Sequence, residues 1–160
     1  MDADSFDKVE ITHAGALWDW LGRHHGQEAA VWLVTFKAAL PDKYVSRDEV
    51  LDALIAHGWI DGRRMKLDDT RTMQLISPRQ EREWTATYRA RAELLIAEGR
   101  MRPAGQAAID AARKAGSWLA NTDVDALTVP PDLADAFAAA PGAAGWFAAA
   151  APSYRRNVLR

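Results

Sequence analysis

Cysteine is absent from all 160 residues, which excludes a disulfide, a thiolate nucleophile and any cysteine-based zinc centre. Long apolar runs are missing too: no stretch reaches the length of a membrane span. The start, Met1-Asp2-Ala3-Asp4-Ser5-Phe6-Asp7, is acidic and lacks the basic and apolar regions of a signal peptide. The expectation is a cytoplasmic chain with no membrane insertion. An excess of charge of one sign is also lacking. Twenty Lys and Arg against 22 Asp and Glu leave a formal charge of -2, which gives no global reason to bind nucleic acid. Finally, no Gly-rich phosphate loop, Walker motif, His-Glu-x-x-His helix or Gly-x-Ser-x-Gly elbow occurs, so no cofactor is expected and common hydrolase chemistry has no support.

What is present is a globular composition, 49% hydrophobic and 26% charged, in a length that suits one self-sufficient domain spanning 1–160. The patterning predicts an α+β fold, with a small antiparallel sheet, a central strand plus a hairpin, packed against several helices. Phe6 to Ile11 reads as an edge strand, and Thr12 as the cap of a helix carrying Leu17, Trp18 and Leu21 that ends near His24-His25-Gly26. The apolar run Ala29 to Phe36 suits a strand buried on both faces. Ser46 and Glu49 have capping-box spacing ahead of Val50, Leu51, Leu54 and Ile55, in a helix stopped by Gly58.

Trp59 to Arg79 reads as a hairpin turning at Asp68-Asp69-Thr70. A three-residue loop pairs Met65 with Met73, Arg63 with Leu75, Asp61 with Ser77 and Trp59 with Arg79. A two-residue loop would pair Met65 with Thr72 and Trp59 with Pro78, mixing polar and apolar partners. Helices follow over Trp84 to Glu98 and from Pro103 to Gly116. These elements make a sheet-plus-helix core over 1–116. An alanine-rich helical subdomain over 117–160 completes the chain, its helices punctuated by Pro130-Pro131, Pro141 and Pro152.

The histidines, His13, His24, His25 and His57, lack metal-ligand spacing. Neighbours on a helix point about 100° apart, so His24 and His25 read as structural or surface residues and no metal site is expected. Of the seven tryptophans, Trp18, Trp32, Trp118 and Trp146 sit in apolar surroundings and read as core. Trp59 and Trp84 lie among charges. In the three-residue-loop register, Trp59, Asp61 and Arg79 gather at the open end of the hairpin. There Arg79 could take an anion in bidentate fashion, with Trp59 stacking on it and Asp61 orienting the guanidinium. The structural alternative is an Arg79–Asp61 ion pair beneath a Trp lid. The basic residues Arg63, Arg64, Lys66, Arg71, Arg79 and Arg82 are nearly cancelled by Asp61, Asp68, Asp69, Glu81 and Glu83, so a nucleic-acid partner is disfavoured.

Val31-Trp32-Leu33-Val34, Lys37, Ala53-Leu54 through Gly58-Trp59-Ile60-Asp61-Gly62, Leu67-Asp68-Asp69, Ser77-Pro78-Arg79, Trp84 and Gly99 to Gly105 together resemble the YdeI/OmpD-associated, or bacteriocin-protection, family. Val129-Pro130-Pro131-Asp132-Leu133 through Ser153-Tyr154-Arg155-Arg156 resembles its C-terminal helical region, so the likeness covers nearly the whole chain. Where members often carry a Ser before the matching Trp and a Ser-x-x-Asn after it, this chain has Glu83, Thr85 and Tyr88. The resemblance implies a bacterial protein linked to tolerance of bacteriocins or antimicrobial peptides and to envelope stress, with no established enzymatic activity or cofactor. It also implies a candidate ligand site at Lys37, Trp59, Asp61, Lys66, Arg79, Trp84 and Arg91. The leading expectation is a non-catalytic binding or stress-tolerance protein for a small anionic or aromatic ligand. The alternatives are a small enzyme with Asp61 as general base, helped by Arg79 or Lys37, and a module that binds a protein partner through its helical tail.

Overall fold

A computed structural model describes residues 5–80, 83–120 and 129–159. The elements run β1 (Lys8–Glu10), α1 (Ala14–His24), β2 (Val31–Phe36), α2 (Arg47–Ala56), β3 (Trp59–Lys66), β4 (Arg71–Pro78), α3 (Ala86–Ala97) and α4 (Pro103–Ala115). The helices α5 (Pro131–Ala139), α6 (Ala143–Ala149) and α7 (Pro152–Leu159) follow. The α+β class and the central place of β2 are as the patterning requires. The sheet order is β1-β2-β4-β3, with β1 and β3 at the edges. The expected antiparallel sheet is in fact mixed, because β1 pairs parallel to β2. Helix α1 is the crossover that returns the chain in the same direction.

Strand β2 is buried from Val31 to Thr35, as a two-sided strand must be. One face, Val31 and Leu33, meets Leu17 and Leu21 of α1, Val50 and Leu54 of α2, Trp59 and Ile76. The other face places Trp32 and Val34 against Met73. A second core lies beyond α2, where Ile55 and Ala56 pack with Trp84, Ala92, Leu95, Ile109 and Trp118. Helix α2 is thus buried on two sides, which explains why, after its charged first turn, every residue from Val50 to Ala56 except Asp52 is apolar and buried.

The capping box at the start of α2 is complete: Ser46 Oγ accepts from the Glu49 amide at 3.2 Å and Glu49 Oε2 accepts from the Ser46 amide at 2.8 Å. At α1 the cap is His13, not Thr12. Its Nδ1 accepts from the Ala16 amide at 3.1 Å, a ring nitrogen doing what a hydroxyl was expected to do. Gly105 marks the closest approach of α4 to α2, since a Cβ there would lie 2.3 Å from the Ala56 carbonyl oxygen. Gly58 has φ +74 and a Cβ would come within 2.9 Å of the Ala104 carbonyl oxygen, so both glycines are fixed by backbone packing.

The hairpin register holds near the turn and changes beyond it. Met65 pairs with Met73 and Arg64 with Gln74, as a three-residue loop requires. Asp68 closes that loop: Oδ1 accepts from the Thr70 and Arg71 amides at 2.9 and 2.7 Å, and Oδ2 accepts from Arg71 Nε at 2.8 Å. The register then shifts between Asp61 and Arg64, where Gly62 and Arg63 oppose Leu75 alone. Asp61 therefore pairs with Ile76 and Trp59 with Pro78, not with Ser77 and Arg79. Because side chains alternate, this bulge turns Trp59 and Asp61 onto the helix-covered face shared by Gln74 and Ile76.

In the tail, Phe137 stacks on Phe147 at 5.2 Å and Trp146 meets Tyr154 edge-on at 5.6 Å. Trp146 is 61% exposed and is not core, because the surrounding alanines offer no depth in which to bury an indole.

Candidate functional site

The bulge aims Asp61 away from the sheet edge and toward α3. Its Oδ1 accepts a hydrogen bond from the Tyr88 hydroxyl and its Oδ2 accepts from Gln74 Nε2 at 3.2 Å. Gln74 is 8% exposed, and its amide oxygen accepts from Arg64 Nη2 at 3.0 Å. The result is a chain of four polar groups, Arg64, Gln74, Asp61 and Tyr88, running from the strand edge into the helix layer. Burial, and then the Asp61 carboxylate it donates to, push the Tyr88 phenol above its ordinary pKa, so Tyr88 stays a donor at any physiological pH.

Arg79 lies beside this chain. Its guanidinium sits over the Trp84 ring at 3.8 Å from the centroid and 5.7 Å from that of Tyr88, and Nη2 donates to the Glu83 carbonyl at 3.2 Å. Trp84 is 1% exposed and is held by the second core, with Trp118 at 4.9 Å and its own carbonyl accepting from Arg89 Nη1 at 2.7 Å. The backbone of Arg79 is fixed in turn by a 2.8 Å bond to the Gly58 carbonyl. Asp61 and Arg79 are not ion-paired, since the bulge gives the Asp61 carboxylate to Tyr88 and Gln74 instead.

The seven sequence candidates thus fall into three groups. Asp61, Arg79 and Trp84 converge near Tyr88. Trp59 lies beneath them, 1% exposed, with its ring edge-on to Trp20 at 5.6 Å, so it belongs to the core rather than to an open stacking surface. Lys37 and Lys66 are at the turn end of the sheet. Lys37 is six strand residues from Val31, which neighbours the Ile76 partner of Asp61, a separation of about 20 Å. Lys66 is exposed and paired with Asp69 at 3.0 Å. Arg91 is structural: it bridges Asp48 at 2.6 Å and Asp52 at 2.8 Å and so clamps α3 onto α2. Glu81 and Arg82 lie outside the described residues.

Tyr88 and Gln74 are the members that sequence reasoning missed. The available signal was Thr85, whose side chain caps α3 by accepting from the Tyr88 amide at 3.3 Å and so fixes the first turn that carries the phenol. Each Asp61 oxygen accepts one of these bonds, so the carboxylate is oriented by Tyr88 and Gln74 and keeps further acceptor sites. Among the described residues no group of three or more metal-ligating side chains is gathered. No helix of the described residues is long and apolar enough to cross a membrane.

Two recesses flank the network. One, about 120 Å³, lies between Arg79, Trp84, Ala108, Ala112 and Ser117. The other, about 350 Å³, is lined by Arg47, Leu51, Thr85, Tyr88 and, from α7, Arg156.

Fold and site together define a small α+β protein whose polar centre is a positioned network of donors and acceptors beside a cationic cleft. The chain belongs to the family described as Domain of unknown function (DUF8412), whose model matches residues 9–108. Residues 126–160 match the model described as Bacteriocin-protection, YdeI or OmpD-Associated. That likeness is therefore found at the C-terminal segment, and the Gly-Trp-Ile-Asp-Gly stretch falls within the other match. No curated protein and no solved structure gave a significant match.

Proposed function

We propose that the chain is a non-catalytic, cytoplasmic binding protein of the bacteriocin-protection, stress-tolerance type, taking a small anionic or aromatic ligand in the cleft between α2, α3 and α7, which the hairpin network borders through Tyr88. The observation that supports this reading most is the 350 Å³ cleft, a volume at the lower end of the range of about 300–1,000 Å³ common for ligand pockets. Tyr88 is its aromatic wall, Leu51 its apolar lining, and Arg47 and Arg156 supply cations that have no carboxylate partner among the described residues. Arg156 comes from the segment matched by the bacteriocin-protection model and Tyr88 from the other matched segment, so the cleft draws on both.

The test is a thermal-shift and tryptophan-fluorescence screen of the full chain against anionic metabolites, nucleotides and small aromatic acids. A compound that stabilises the wild type and loses its effect in both Arg156→Ala and Arg47→Ala is the expected result. Silence across a broad library, with the protein folded, would overturn the reading.

One observation favours a second reading, a protein partner bound by the tail. Trp146, Tyr154 and Val158 are exposed, and the first two touch one another. Sedimentation showing only monomer, together with no partner recovered from cell extract, would dispose of it.

A further inference from the structure

A separate cavity of about 480 Å³ lies between α1, the end of α2 and the start of α4. Its inner wall is His57, 4% exposed, whose ring is held by a 2.7 Å bond from Nδ1 to the Ala53 carbonyl and by edge-on contact with Trp18 at 5.1 Å. A carbonyl only accepts, so Nδ1 carries the proton and Nε2 of the neutral ring is an acceptor with no hydrogen-bond partner among the described residues. The rim carries Arg23, Arg102 and His25 against the single carboxylate of Asp19. Neither arginine is in an ion pair among the described residues, and Arg102 rests 5.5 Å from the Trp18 ring centroid.

Helix α4 opens onto the same cavity. Arg102 is its N-cap and provides no side-chain cap, and Pro103 has no N–H to offer, so the helix begins at the cavity wall, with Arg102, Pro103 and Ala104 lining it, without a capping side chain. A buried imidazole, two rim guanidiniums and an uncapped helix start converge on one volume.

We infer that this cavity is a binding site for a small phosphate-type oxyanion, distinct from the cleft between α2, α3 and α7. Arg23 and Arg102 meet the charge, the α4 amides donate to one of its oxygens, and Trp18 walls the site. The His57 Nε2 lone pair selects for an anion that still carries a proton, as hydrogen phosphate does. The ring suits that role because burial holds it neutral, against the Ala53 carbonyl's pull and with the help of the Arg102 and His25 charges.

The test titrates inorganic phosphate into the full chain at constant ionic strength, following the His57 ring nitrogens and the Trp18 indole by NMR, with chloride as the control for screening. The expected result is saturable movement of both signals by phosphate alone. Arg23→Gln and Arg102→Gln, both at exposed positions, should each weaken binding by about tenfold or more, the effect of losing one charge-assisted contact. Arg156→Gln, at the other site, should leave it unchanged. No saturable response at millimolar phosphate, an equal response to chloride, or unchanged affinity in both rim variants would overturn the inference. None of these results bears on the cleft between α2, α3 and α7, whose screen reads Arg47 and Arg156.

Discussion

The two parts of the molecule bury their aromatic residues differently. In the body, Trp32, Trp59, Trp84 and Trp118 are buried, and Trp18 and Trp20 are partly so. In the tail, Trp146 stands mostly in solvent and Phe147 is the one large side chain that is buried among the described residues of α5 to α7. The body packs a two-sided strand and a two-sided helix into two cores, whereas the alanine-rich helices of the tail meet through two aromatic pairs, Phe137–Phe147 and Trp146–Tyr154, set among methyl groups. Stability should therefore reside in the body, and the tail should be free to contribute surface, including Arg156 at the cleft.

The sharpest way to break this contrast is at the α2–α4 contact. Gly105→Ala would place a methyl group on the Ala56 backbone, so the helices must separate. A loss of roughly 3 kcal/mol or more, of the kind overpacking costs at its upper end, should appear as a large drop in Tm. Trp84→Ala comes next, at about 3–5 kcal/mol for an emptied aromatic core site, and it should also abolish the Arg79 stacking. Tyr88→Phe removes a donor from Asp61 and should cost about 1–3 kcal/mol in chemical denaturation. Trp146→Ala, at the other end of the scale, should change stability by no more than about 0.5 kcal/mol. If the tail variant destabilised as much as the core one, the contrast would be lost.

The titratable groups sharpen the same picture. His57 has a lowered pKa in the folded chain, so its contribution is present above 6.5 and is lost as pH falls through the folded value. Tyr88 has a raised one: its contribution is complete below 10.0 and fades as pH climbs toward the folded value. Urea midpoints measured from pH 7 to 5 should thus decline less in His57→Gln than in wild type. Those from pH 9 to 11 should decline less in Tyr88→Phe.

How far the sequence could be read follows from which signals are local. The capping box at Ser46, the stops at Gly58, Gly99 and Gly116 and the Asp68 turn depend on residues a few positions apart, and each was legible. The bulge at Gly62 was not, although a glycine inside a strand pattern is the sign of one. That single residue decided the site: it removed Trp59 to the core and gave Asp61 to Tyr88. Lys37 and Lys66 were grouped with Asp61 by motif, and only strand pairing reveals the length of sheet between them. Arg91 looked free in sequence because its partners, Asp48 and Asp52, are on another helix. Trp146 looked buried because apolar neighbours say nothing of depth.

The central claim is that the cleft between α2, α3 and α7 is a ligand site, and the seven indole N–H groups, Trp84 beside its Thr85 wall among them, are reporters of it. The measurement is an NMR titration of the indole resonances of the full chain with anionic and aromatic compounds, repeated in Arg156→Ala. The expected result is a saturable shift of Trp84 by at least one compound, with Trp146 unmoved, that disappears in the variant. A Trp84 signal that stays fixed through the whole series, in a protein whose spectrum shows it folded, would contradict the account.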